Sequence, residues 1–114
     1  MAQMKLSYLA SPYTHADPAV REARYQAACK KAADLMLAGK VIFCPIAHSH
    51  PIAEQMPDGK AVDGQFWKQQ DEPYVEMCDE LIVYMLPGWE RSSGMKHEIE
   101  RAQQRGIPVI YERP

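Results

Sequence analysis

At 114 residues, with 46% hydrophobic and 25% charged side chains, the chain has the size and composition of one domain, residues 1–114, with a real core. That composition excludes a disordered chain, and a formal net charge of -2 with a pI near 6.1 argues against a partner made of polymeric nucleic acid. No basic start leads into a long apolar run and no stretch nears membrane-spanning length, so the sequence predicts a soluble, cytoplasmic protein with no membrane partner.

The stretch "MKLSYLA" predicts a first strand with Tyr8 at its end, and the turn-rich "SPYTHADP" after it carries Ser11 and Tyr13. Asp17-Pro18 marks a helix start, and Tyr25, Ala28, Cys29, Ala32, Leu35 and Met36 form its apolar stripe up to a stop at Gly39. "KVIFCPI" reads as a strand buried on both faces, followed by a long loop, "AHSHPIAEQMPDGKAVDG", with His48 and His50. "QFWKQQDEPYVEMC" predicts a helix that Pro73 should kink or split. "DELIVYML" is a second buried strand and "PGWERSS" a loop. A helix in "SSGMKHEIERA" ends at Gly106, and "IPVIY" is the last strand. The alternation predicts an α/β fold, a single-domain flavodoxin- or Rossmann-like three-layer sandwich with a parallel sheet of four or five strands. Ligands in such sheets bind beyond the carboxyl ends of the strands, and the polar segments collect at that rim.

Ser92, Ser93 and Gly94 open a helix, where they serve as plain caps or as an anion site built on free amides. Glu98 follows in the same segment, and Asp71 is a second carboxylate eight residues before Asp79. Two carboxyls in different environments can divide the work of glycosidic cleavage. Tyr8 reads as a core tyrosine whose hydroxyl needs a partner. His48, His50 and Cys44 are loosely spaced and poor evidence for a zinc site, so the reading calls for no metal and no cofactor, with a metal-dependent enzyme using His48 and His50 as an alternative; substrate contact or loop structure is the reading for His48. Trp67 and Trp89 read as core residues, and Arg21, Arg24 and Arg91 as solvated surface unless they meet a phosphate. Cys29, Cys44 and Cys78 form no Cys-x-x-Cys pair and read as buried reduced thiols.

Tyr8 in the first strand, Asp71 eight before Asp79, and "SSGMKHEIERA" followed by "GIPVIY" together resemble the nucleoside 2-deoxyribosyltransferase superfamily, which also holds nucleotide N-glycosidases. "YLASPY", "PIAHSHPIA" and "SSGMKHEI" are similar to its small bacterial members of unassigned function. The resemblance implies Glu98 as nucleophile on the anomeric carbon, Asp71 holding or protonating the departing base, and Tyr8 orienting Glu98. It implies a homo-oligomer and a small-molecule nucleotide or nucleoside as partner. An acid six residues before the glutamate would go with nucleosides; the serine found there, Ser92, goes with nucleoside 5'-monophosphates. The resulting expectation is a nucleotide N-glycosidase, with a nucleoside 2-deoxyribosyltransferase as an alternative. Lys96 and Glu100 stand where relatives usually have glycine, and they support another alternative, a nucleotide-binding sensor without turnover.

Overall fold

The computed structural model describes residues 4–114. Four parallel strands, β1 (Leu6–Ala10), β2 (Val41–Phe43), β3 (Glu80–Tyr84) and β4 (Val109–Glu112), lie in the order β2-β1-β3-β4. Helices α1 (Pro18–Leu37), α2 (Pro45–Ala53), α3 (Gly64–Met77) and α4 (Ser93–Arg105) connect them. Side-chain alternation in the central strands feeds two cores. Tyr8, Ala10, Leu81 and Val83 pack with residues of α3 and α4, including Val75, Met95 and Ala102. Leu9, Ile82 and Tyr84 pack on the other face with Ala28 and Ala32 of α1 and Ile46 of α2. The result is a three-layer α/β sandwich.

The chain leaves β1 toward β2 on one side, and the later strands add on the other, so strand order reverses between β1 and β3. Tyr8 pairs there with Leu81, and the carboxyl ends of these two strands open the crevice where such folds take ligands. Polar groups within the sheet are answered locally. Buried Glu80 accepts from Ser7 Oγ at 2.8 Å and from Lys40 Nζ at 2.7 Å.

Several expectations give way. The segment read as a long loop begins with α2, because Pro45 stands in its first turn and Ile46, His50 and Ala53 present one buried face. β2 stops at Phe43 because α2 begins at Pro45, and it is not buried on both faces, because it is the edge strand of the sheet and leaves Val41 exposed. α3 runs through Pro73 as one helix. Pro73 and Gln69, whose carbonyl the missing N–H would have met, are both exposed, so water can take that partner's place. Tyr8 is the middle residue of β1, not its end. On α1 only Ala28 and Ala32 are buried; Met36 is 49% exposed and Cys29 half-buried, because a helix packed through alanines leaves the edges of its stripe in solvent.

Candidate active site

A cavity of about 680 Å³ lies beyond the carboxyl ends of β1 and β3, walled by the segments that follow them and by α2, α3 and α4. Glu98 enters it from α4. The helix is placed by Ser92, whose hydroxyl oxygen accepts from the Met95 amide at 3.3 Å, and by Met95 and Ala102, which are buried against β3 and β1 residues. Glu98 then falls on the edge of that buried face. The hydroxyl of fully buried Tyr8, on β1, donates to Glu98 Oε2. Burial pushes the Glu98 carboxyl up from an ordinary 4.5 to about 8; the Tyr8 hydrogen bond pulls the other way, and the Asp71 charge adds to the rise. Burial also holds the Tyr8 phenol well above its ordinary value, with the Glu98 charge next in effect, so it stays a neutral donor.

Asp71 reaches the same cavity from α3, whose start is fixed by the Asp63 side chain accepting from the Phe66 amide at 3.1 Å. Burial lifts its carboxyl from 3.8 to about 6. Two carboxyls with separated affinities for protons thus face one space, an arrangement suited to sharing acid and nucleophile roles.

The amino end of α4, on the same cavity, favours an anion. Ser92, Ser93 and Gly94 line it at the amino end of a 13-residue helix, where first-turn amides have no partner inside the helix and the dipole is positive. Ser92 caps the helix and still has its own hydroxyl proton to donate. Arg24 lines the cavity too, spanning the two strand-end segments by donating to Thr14 O at 3.1 Å and Pro87 O at 3.4 Å. Gly88, with φ of +95°, makes room for it: a Cβ there would lie 2.8 Å from the guanidinium. The Ser11 hydroxyl oxygen is buried in the cavity wall with no hydrogen-bond partner among the described residues, a costly state that a polar ligand or water would relieve.

Of the residues singled out in the sequence, Glu98, Asp71, Ser11, Tyr13, Ser92, Ser93 and Gly94 line this cavity, and Tyr8 joins through Glu98. His48 does not. It is exposed on α2, tilted against Phe43 with ring centroids 6.0 Å apart, because the helix that replaced the loop turns it away. Tyr13 reaches past the cavity to His50 Nδ1 at 2.6 Å. Lys96 and Glu100 are exposed and outside the cavity. Trp67 lines it and is held by Nε1 donating to Lys60 O at 2.7 Å, whereas Trp89 packs on the core. Nothing in the sequence pointed to His97 or Ser49, which also line the cavity; Ser49 was hidden by the missed helix.

The sequence matches the family described as a domain of unknown function, DUF1937, over residues 5–113, and the chain belongs to that family. No curated protein matches it. Among the described residues no helix is long and apolar enough to cross a membrane.

Proposed function

We propose that this DUF1937 protein cleaves the N-glycosidic bond of a nucleoside 5'-monophosphate through attack by Glu98. The observation that carries the reading is the Glu98 carboxyl, hydrogen-bonded to buried Tyr8, in one cavity with Asp71 and the amino end of α4. The Glu98 carboxylate forms a bond to the anomeric carbon as the bond to the base nitrogen breaks. The base leaves with that electron pair and takes the Asp71 proton; the reactive form is the one with the pair's proton on Asp71 and Glu98 ionised, a minor form near neutrality because Glu98 holds the proton more tightly. Water then attacks the same carbon, Asp71 receives a proton from the water, and Glu98 is released as carboxylate. The phosphate sits at Ser92, Ser93 and Gly94 with Arg24 beside it, and Ser11 and Tyr13 contact the remainder of the nucleotide. Water is taken as the acceptor in preference to a second base, because the cavity of about 680 Å³ is open to solvent. The reading includes a homo-oligomer working in the cytoplasm.

A second reading has its own support: with its carboxyl at about 8, Glu98 is mostly neutral at pH 7 and can donate a hydrogen bond to a bound nucleotide without attacking it. Chromatography of wild type and Glu98→Ala against ribo- and deoxyribonucleosides and their 5'-monophosphates separates the two. Base release by wild type alone, with monophosphates preferred, supports the glycosidase. A nucleotide that raises the melting temperature with no base released supports the sensor.

A further inference from the structure

Outside the active cavity, Glu22 of α1 and His50 and Glu54 of α2 bring three donor atoms within 4.8 Å of one another. Both carboxylates converge on one ring nitrogen. His50 Nε2 lies 2.7 Å from Glu22 Oε2 and 3.0 Å from Glu54 Oε1. That nitrogen carries at most one proton, so the two negative groups compete for a single N–H. The other ring nitrogen, Nδ1, lies 2.6 Å from the Tyr13 hydroxyl, which can accept Nδ1–H and leave the Nε2 lone pair facing the carboxylates. Stacking on Tyr25, with centroids 4.2 Å apart and planes at 24°, fixes the ring, and the histidine is buried. A ring held in place, a hydroxyl partner for Nδ1 and carboxylates converging on Nε2 are what a metal-binding histidine requires.

From this arrangement we propose a divalent-cation site formed by Glu22, His50 and Glu54. One imidazole nitrogen with two carboxylate oxygens suits a zinc-type ion better than magnesium or calcium, which prefer oxygen alone. A second cavity of about 400 Å³, lined by all three residues and by Asp58, leaves a side open for water or a further carboxylate. The ion ties α1 to α2. Tyr13 and Ala53 line this cavity and the active one as well, so the ion also steadies one wall of the active cavity. The site stands independently of the glycosidase reading.

The test uses the full chain, stripped with chelator and dialysed against zinc chloride, with bound metal measured by mass spectrometry and melting temperature recorded with and without zinc. Wild type should take up one zinc per chain and melt several degrees higher. Glu22→Gln and Glu54→Gln, alone and together, change exposed carboxylates and should leave the zinc-free melting temperature unchanged. The double variant should lose zinc affinity by more than about a hundredfold. The single variants keep the comparison readable if the double one folds poorly. No uptake by wild type, or equal uptake by the variants, would overturn the site; the second result would put the metal elsewhere, for instance on the free cysteines. Magnesium chloride raising the melting temperature as much as zinc would overturn the assignment of the ion.

Discussion

Replacing Glu98 by glutamine should make the protein more stable at alkaline pH while leaving its acid stability alone. The wild-type carboxyl is raised from 4.5 to about 8 chiefly by burial, so the folded state holds a proton that the unfolded chain gives up near pH 4.5. The stabilisation from that proton is complete below pH 4.5 and is lost as pH climbs through about 8, the folded value. The full shift corresponds to roughly 5 kcal/mol, and discounting for a side chain that is only half-buried brings it to on the order of 3 kcal/mol. Glutamine resembles the protonated carboxyl and can still accept from Tyr8, so it removes the charge and little else. Urea unfolding of both proteins between about pH 4 and pH 9 reads the difference, provided the slopes agree. The two should coincide in acid and diverge above neutrality, with Glu98→Gln ahead by about 3 kcal/mol at the alkaline end. Curves that stay parallel, or a variant weaker than wild type at pH 9, would refute the assignment of a proton to Glu98.

Four further outcomes follow from the structure. For the glycosidase, kcat/KM should trace a bell with limbs near 6 and 8, set by the Asp71 and Glu98 pair. Tyr8→Phe removes a hydrogen bond that favours the Glu98 carboxylate, so the upper limb should move to higher pH and the rate fall by about ten- to a hundredfold; an unmoved limb counts against the contact. Gly88→Ala forces a side chain at φ of +95° and 2.8 Å from Arg24, and should raise KM for a monophosphate more than for its nucleoside while costing about 1 kcal/mol in urea unfolding. Asp63→Ala removes the cap of α3 and should cost about 1 kcal/mol, measured as a lower urea midpoint with unchanged slope.

Much of the fold was legible because its signals are local. Asp17-Pro18 starts α1, Ser92 and Gly106 bracket α4, and the apolar run at Glu80–Tyr84 is the fully buried strand its composition suggests. What stayed hidden depends on packing. Two prolines in "PIAHSHPIA" look like loop residues, and only the packing of Ile46 and His50 against α1 residues shows why a helix forms there. The same misreading moved His48 toward a ligand it does not face and concealed the meeting of His50 with Glu22, which lies 28 residues away in sequence. Arg24 looked like a surface cation because its role depends on the space left by Gly88 across the crevice. Glu98 and Tyr8 were singled out as residues, but their protonation is set by burial, which spacing cannot give.

The most direct test of the central reading is base release from a nucleoside 5'-monophosphate by wild type and by Glu98→Gln, with the unfolding curve of each taken on the same preparation. Wild type should release the base, and the variant, though folded and more stable at pH 9, should be slower by about a thousandfold or more. A folded Glu98→Gln protein that releases base at the wild-type rate would contradict Glu98 as the nucleophile.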